Sequence, residues 1–211
     1  MNFELLFQLL LNGLIVGTLY GVVAMCFVLI YKSTQIVNFA QGEFLLIGAW
    51  VCYAFLVEMH MPFWMGFLFT LLFMMVFGIV LQMVVLRPMI GEPIISVIMV
   101  TIGLSIFFQA ATKWIFGATT ATYPQVFETR SLNVLGMQIE TAYIMSFVIS
   151  LFIMAGFYWF FKYSKLGLAM RATAFDQQVA QSLGISVKTV FAMSWAISAL
   201  VSGVAGIVIG M

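Results

Sequence analysis

The chain has 211 residues, of which 64% are hydrophobic and only 7% are charged. Soluble domains carry about 25% charged residues, so this composition excludes an ordinary water-soluble protein and indicates a chain embedded in lipid. The formal net charge of +1 excludes a nucleic-acid-binding protein, because phosphate backbones are bound by concentrated basic surfaces.

Long apolar runs predict the membrane spans. Crossing ~30 Å of hydrocarbon takes about 20 apolar residues in an α-helix, and five runs of that size carry no charge, while a sixth contains Glu43. In chain order the predicted spans are Leu5–Tyr31, about Ile36–Val57, Met61–Leu86, Pro93–Thr112, Thr141–Phe161 and Thr189–Met211. The expected fold class is therefore all-α, a polytopic transmembrane bundle of about six helices.

The positions of lysine and arginine predict the orientation, since cytoplasmic loops are enriched in both. With the N-terminus outside, only Lys113 and Arg130 lie at the outer side. The basic residues that then face the cytoplasm are Lys32, Arg87, Lys162, Lys165, Arg171 and Lys188. We therefore expect a bundle with its N-terminus outside and one long cytoplasmic loop.

Small residues recur every four positions in the first and last spans. The first span carries Gly13, Gly17 and Gly21, and the last carries Ser198, Ser202, Gly206 and Gly210. Glycines at this spacing let two helix backbones approach closely, and such packing drives helix association in lipid. We expect these faces to hold the bundle together; the alternative is that two smooth faces slide during gating.

The second span opens with a polar stretch, Ser33-Thr-Gln-Ile-Val-Asn-Phe-Ala-Gln-Gly-Glu43. A helix from Glu43 to Val57 rises only ~21 Å, so we predict that the span begins near Ile36 and that Glu43 lies at membrane depth. A carboxylate there costs about 2.5–3.5 kcal/mol unless it meets water or a partner, and Gly42 permits an irregular backbone beside a cavity. The candidates for an internal hydrogen-bond lock, a polar pathway or an interfacial bend towards lipid headgroups are Asn38, Gln41, Gly42 and Glu43.

The long loop at residues 162–188 has the pattern of a short amphipathic helix. Apolar residues recur in it at three- and four-residue steps, and Gly184 follows the last of them as a helix stop. These residues are Leu168, Ala172, Phe175, Val179 and Leu183. The polar side mixes Arg171 with Asp176 and is not a lysine-rich surface for lipid headgroups, so we favour docking to a protein partner.

The chain lacks the groups that catalysis or ion coupling needs. No cluster of His, Cys, Asp or Glu predicts a metal site, because His60 lies in an outer loop and Cys26 and Cys52 fall within apolar runs. No serine has a histidine within its span to activate it, and ion-coupled transporters usually carry several intramembrane acids where this chain has Glu43. An intramembrane enzyme, a secondary transporter and a purely structural scaffold are the weaker alternatives.

Three of these stretches resemble the permeases of branched-chain amino acid ABC importers of the LivH type, and the resemblance covers essentially the whole chain. The stretches are Gly13–Glu43 with Asn38-Phe-Ala-Gln-Gly-Glu43, Thr101-Ile-Gly-Leu-Ser105, and the loop from Tyr163-Ser-Lys-Leu-Gly167 to Leu183-Gly-Ile185. The resemblance implies that residues 162–188 couple the permease to its ATPase. The implied coupling residues are Lys165, Gly167, Arg171, Ala172, Asp176, Ala180 and Gly184. Phe175 departs from the family, which usually has a polar residue at that position.

The same resemblance implies a membrane subunit of the bacterial inner membrane that is not itself an enzyme. The implied partners are a second permease subunit, identical or homologous, two cytoplasmic subunits that bind ATP and Mg²⁺, and an extracytoplasmic substrate-binding protein. No Gly-x-x-x-x-Gly-Lys-Ser/Thr phosphate loop occurs in the sequence, so no cofactor is expected in this chain. Branched-chain or other apolar amino acids are the implied substrates, with urea or short amides as the alternative. Family members continue for further helices, so residues 1–211 are expected to be a permease domain that is incomplete at its C-terminus.

Overall fold

A computed structural model describes residues 3–89, 92–117, 123, 131–134 and 137–210. Within these residues, six helical segments are long and apolar enough to cross a membrane. They are Leu9–Thr34, Gln41–Glu58, Phe63–Met89, Ile94–Phe116, Tyr143–Tyr163 and Val187–Gly210. The predicted six-helix transmembrane bundle is confirmed, and the chain is a multi-pass membrane protein. Two predicted positions lie outside the described residues: Arg130, expected at the outer side, and Met211, expected to end the sixth span.

Eight helices and one short two-stranded sheet follow one another along the described chain. Helix α2 continues as a π-helical segment, Ala54–Glu58, and α3 continues as a π-helical segment, Gln82–Leu86, and a 3₁₀ turn, Arg87–Met89. The elements are α1 Phe3–Thr34, α2 Gln41–Tyr53, α3 Phe63–Leu81, α4 Ile94–Phe116, β1 Ser131–Val134, β2 Met137–Glu140, α5 Thr141–Tyr163, α6 Lys165–Phe175, α7 Gln177–Ser182 and α8 Val187–Gly210.

Helix α8 lies at the centre of the bundle. Its most apolar stretch is 67% buried, against 11% for α4 and 6% for α5. Trp195 on α8 is fully buried, and its ring lies edge-on to Phe44 of α2 at a centroid distance of 6.0 Å. A Cβ on Gly78 of α3 would lie 2.6 Å from the Trp195 carbonyl oxygen. Helices α2 and α3 therefore pack directly onto the backbone of α8.

The second membrane helix begins at Gln41, so the prediction that it begins near Ile36 is wrong. Gln35 ends the preceding helix in a left-handed conformation with φ of 58°. The Asn38 side-chain oxygen then accepts a hydrogen bond from the Ala40 amide over 3.0 Å, a local turn that competes with a helix. The irregular backbone therefore precedes Gly42, which lies inside α2.

A two-stranded antiparallel sheet, which the sequence pattern does not predict, precedes α5. Strand β1 pairs with β2 in a register that places Ser131 opposite Glu140 and Val134 opposite Met137. The sheet lies in the segment between α4 and α5, outside the membrane spans. The helical character of the bundle is unaffected by it.

Candidate functional site

The linker between α5 and α8 consists of two helices, so the prediction of a single amphipathic helix is wrong. Asp176 lies between α6 and α7 in an extended conformation, with φ of −155° and ψ of 117°. Its carboxylate accepts hydrogen bonds from the amides of Gln178 at 2.8 Å and Val179 at 2.9 Å. An aspartate that caps the start of a helix in this way stabilises a new helix start. The linker therefore turns at Asp176.

Helix α6 is held against the end of α5 by three contacts. The Ser164 hydroxyl caps α6 and accepts a hydrogen bond from the Gly167 amide over 2.8 Å. Gly167 packs so closely that a Cβ there would lie 2.7 Å from the Phe160 carbonyl oxygen. Arg171 donates from Nη2 to the Lys162 carbonyl oxygen. Helices α5 and α6 thus form a fixed corner.

The end of α7 leads into α8 through a tight, fully hydrogen-bonded turn. The Ile185 amide donates to the Ala180 carbonyl oxygen at 3.0 Å, and the Gly184 amide donates to the Gln181 carbonyl oxygen at 2.9 Å. This pair of bonds is a Schellman motif, which favours glycine because its φ is positive, and Gly184 has φ of 84°. The predicted helix stop at Gly184 is confirmed in its geometry.

The outward side of the linker carries four large apolar side chains among its polar ones. The residues of the predicted apolar face are exposed to the following fractions: Leu168 60%, Phe175 95%, Val179 55% and Leu183 74%. Ala172 is half-buried, whereas the side that packs against the bundle is built from Gly167, Met170, Thr173 and Ala180. Among the other implied coupling residues, Lys165, Arg171, Asp176 and Gly184 are exposed. We call Leu168, Phe175, Val179 and Leu183 the linker apolar surface.

A second group of polar residues lies inside the bundle, where Gln41 connects α2 to α8. Asn38 Nδ2 and the Ser198 hydroxyl each donate to Gln41 Oε1 at 3.2 Å, and Gln41 Nε2 donates to the Ser202 hydroxyl oxygen. All four side chains are at most 1% exposed. Ser198 also lies 3.5 Å from the Cys26 carbonyl oxygen of α1. We call Asn38, Gln41, Ser198 and Ser202 the polar cluster.

The polar cluster lies at mid-membrane depth. Ser198 is midway along α8, Val187–Gly210, and a helix of that length spans about the whole hydrocarbon thickness. Ser105, midway along α4, Ile94–Phe116, marks the same depth independently. Helix α2 therefore begins near the middle of the membrane, after residues 35–40, which form neither helix nor strand and connect it to the end of α1.

Glu43 lies on the side of α2 opposite Gln41, because residues two positions apart in an α-helix are separated by about 200° around the helix axis. It is half-buried, and its Oε1 accepts a hydrogen bond from the Ser105 hydroxyl over 3.2 Å. Gly42 beside it is exposed, with no atom within 4 Å of a Cβ position. The structure thus brings Asn38 and Gln41 together and leaves Gly42 and Glu43 outside the polar cluster.

The glycine faces divide into packed and open positions. Gly206 of α8 lies against the backbone of Leu45, whose carbonyl oxygen a Cβ would overlap, and a Cβ on Gly210 would lie 2.8 Å from the Tyr123 ring. A Cβ on Gly21 would lie 3.9 Å from the Met154 side chain, whereas a Cβ on Gly13 or Gly17 would meet no other part of the described chain within 4 Å. The close packing expected at Gly13 and Gly17 is therefore absent within the described part of the chain.

The hydrogen bonds made by the hydroxyl groups of Ser105, Ser198 and Ser202 were not predicted from the sequence. The four-residue spacing of Ser198 and Ser202 predicts helix packing and does not predict their hydrogen bonds. Their partner, Gln41, is 157 and 161 residues away in the chain, so no local pattern relates them. The one available signal was that serines at a four-residue spacing present hydroxyls on the same helical face as the small side chains.

Comparison with known proteins identifies the family. The model of the branched-chain amino acid transport system permease component matches residues 9–211. The chain belongs to this family. The protein named high-affinity branched-chain amino acid transport system permease protein BraD of Pseudomonas aeruginosa is 30% identical, over 97% of this chain and 70% of BraD.

Other relatives of this permease carry the name LivH. LivH of Escherichia coli K12 is 27% identical over 96% of this chain and 70% of its own length. LivH of Salmonella typhimurium is 26% identical over the same shares. No solved structure matches the chain.

Members of this family are transport permeases, which are not themselves enzymes. In the described residues of the permease, no group of three or more His, Cys, Asp or Glu side chains is placed to hold a metal ion. Cys26 and Cys52 are buried and free.

Proposed function

We propose that this chain is the permease subunit of a binding-protein-dependent ABC importer of the bacterial inner membrane. It moves branched-chain or other apolar amino acids by ATP-driven alternating access. The names of the relatives, which refer to high-affinity branched-chain amino acid transport systems, support this substrate class. The partners are a second permease subunit, two ATP-binding subunits that hold ATP and Mg²⁺, and an extracytoplasmic substrate-binding protein.

The linker apolar surface is the observation that carries the proposal. Phe175 is 95% exposed at the turn of the linker, and apolar groups grouped on a surface mark sites of protein or membrane contact. Around them lie Arg171 and Asp176, of opposite charge, where a lipid-binding helix would carry a lysine-rich face. The linker apolar surface therefore docks into a groove on the ATP-binding subunit, at the cytoplasmic side.

A push on the docked linker reaches the bundle through packed contacts. Met170 of α6 lies in a buried apolar cluster with Leu29 of α1 and Val187, Val190 and Phe191 of α8. Helix α8 in turn bonds α2 through Gln41 in the polar cluster. Displacement of the linker thus moves α8, and with it the mid-membrane start of α2. Such a chain of rigid contacts is what alternating access requires of a permease that has no phosphate loop.

Substitution of the linker apolar surface tests the proposal. The variant Phe175→Glu places a charge on an exposed position, so the chain should fold and insert normally. Co-expressed with its ATP-binding subunits, it should lose their co-purification and most of the amino acid uptake into proteoliposomes. Met59→Glu is the matched control, because Met59 is 61% exposed at the opposite end of the bundle. Normal co-purification and uptake by Phe175→Glu would contradict docking at the linker.

A further inference from the structure

Glu43 has acceptor capacity that the described chain does not use. A carboxylate offers about four lone-pair positions to donors, and the one partner of Glu43 among the described residues is the Ser105 hydroxyl. No lysine, arginine or histidine of the described chain pairs with it. A charged group at this depth is retained where it meets a partner or a water-filled cavity. The carboxylate is therefore positioned to receive a cation from outside the described residues.

The surroundings of Glu43 are rigid on one side and open on the other. Gln41, on the opposite side of the same helical turn, is fixed by three hydrogen bonds in the polar cluster. A Cβ on Gly42, next to Glu43, would meet no other part of the described chain within 4 Å. Glu43 is thus a half-exposed carboxylate on a fixed helix start at mid-membrane, and with Ser105 as its hydrogen-bond partner in the described chain it can accept a further donor.

We propose that the Glu43 carboxylate, oriented by Ser105, binds the ammonium group of the amino acid as it crosses the middle of the membrane. This assignment rests on the proposed function. A zwitterionic substrate carries an N⁺–H group that must find acceptors when it leaves water, and a carboxylate forms the strong charge-assisted hydrogen bond that replaces them. The aliphatic side chain of the substrate needs no such partner. Glu43 therefore selects for the group that all amino acids share.

The position of Glu43 also relates binding to the transport cycle. Gln41 bonds α8, the helix that follows the linker, and Glu43 faces α4 from the same turn of α2. A movement of α8 that carries Gln41 with it turns the start of α2 and changes the distance between Glu43 and Ser105. The ammonium contact is thereby made or released as the linker moves.

Thiol labelling at Gly42 reports on this site directly. In the complete transporter in proteoliposomes, the ratio of the labelling rates with a trimethylammonium and with a sulfonate methanethiosulfonate should be several times higher for Gly42→Cys than for Gly103→Cys. In the Gly42→Cys, Glu43→Gln double variant this ratio should fall to that of Gly103→Cys, and leucine supplied with its binding protein and ATP should slow the labelling of Gly42→Cys. Gly103→Cys is the matched control, because Gly103 of α4 is exposed and has no neighbour within 4 Å. Labelling of Gly42→Cys that ignores both Glu43 and leucine would overturn the proposal.

Uptake by Glu43 variants separates this proposal from a structural ion pair. Glu43→Gln should assemble with all partner subunits and lose leucine uptake by about tenfold or more, the loss expected for one charge-assisted bond. Glu43→Asp should restore part of the uptake. If Glu43→Gln fails to assemble, the carboxylate serves the structure of the complex and the ammonium assignment is wrong. Normal uptake by Glu43→Gln would also refute it. Neither outcome affects the docking of Phe175, which is measured separately.

Discussion

Arg171 of α6 donates a hydrogen bond to the carbonyl oxygen of Lys162, in the last turn of α5, over 3.2 Å. A cationic side chain at a helix C-terminus satisfies a free carbonyl group and interacts favourably with the helix dipole. Arg171, which the family resemblance placed in the coupling element, therefore has a partner inside its own chain. It joins the docked part of the linker to a membrane helix.

Removal of this bond should weaken the transfer of force from the linker. We expect the Arg171→Ala variant to bind its ATP-binding subunits normally, since the linker apolar surface is intact. It should, however, transport several-fold fewer amino acid molecules per ATP hydrolysed. Arg171→Lys, which retains the charge and one donor group, should lose less. The measurement is the ratio of uptake to phosphate release in proteoliposomes. An unchanged ratio in Arg171→Ala would show that this bond is not part of the coupling.

The close approach of α8 to α2 at Gly206 predicts a sharp difference between two glycines. Gly206→Ala should lower the stability of the bundle by about 1–3 kcal/mol, because the added methyl group overlaps the Leu45 backbone. Gly13→Ala should have no such cost, since Gly13 has open space around it, and alanine favours a helix. Thermal unfolding of both variants in detergent measures the difference. Equal stability of the two would contradict the packing of α8 on α2.

The polar cluster predicts that replacing Gln41 lowers the free energy of unfolding of the bundle. Gln41→Leu leaves Asn38, Ser198 and Ser202 buried without their shared partner, which should cost about 1–2 kcal/mol in a membrane protein. Gln109→Leu is the control, because Gln109 lies exposed on α4. Resistance to unfolding in a denaturing detergent compares the two. A Gln41→Leu variant as stable as the control would argue that these hydrogen bonds do not hold α2 to α8.

The turn between α7 and α8 requires a positive φ at Gly184. Alanine in that conformation costs about 1–2 kcal/mol, whereas asparagine adopts it more readily. We therefore expect Gly184→Ala to increase proteolytic cleavage of the linker and to reduce uptake. For Gly184→Asn, both cleavage and uptake should lie between those of the Ala variant and those of the native chain. The space around Gly184 is open, so side-chain overlap does not complicate the result. If alanine is tolerated as well as asparagine, the turn adapts and is not part of a rigid linker.

Membrane spans are predictable from this sequence because lipid imposes a length and a composition on each helix. The start of α2 was not predictable in this way, because Ile36 and Val37 are apolar enough for a membrane helix. The left-handed Gln35 and the turn at Asn38 keep them out of it. The break at Asp176 was hidden for a similar reason, because the three- and four-residue repeat continues across it. The signal in the sequence was the residue type of Asp176, because aspartate is one of the residues that commonly cap the start of a helix.

Contacts between distant segments account for the rest of what the sequence did not reveal. Glycine spacing marks Gly13 and Gly206 alike, but only Gly206 meets a neighbouring helix in the described chain. The approach of Ser105 to Glu43 joins residues 62 apart and depends on how α4 lies against α2. Residue identity indicated that Glu43 needs a partner, and only the fold identified Ser105 as that partner.

The side of the membrane on which the linker lies is the most direct test of the whole account. Phe175→Cys is exposed, while Cys26 and Cys52 are buried and free, so a membrane-impermeant thiol reagent should label the new cysteine above a low background. We predict labelling in inside-out vesicles alone, and protection when the ATP-binding subunits are present. Labelling of intact spheroplasts from the external face would place the linker beyond the reach of an ATP-driven subunit and would contradict the proposed function.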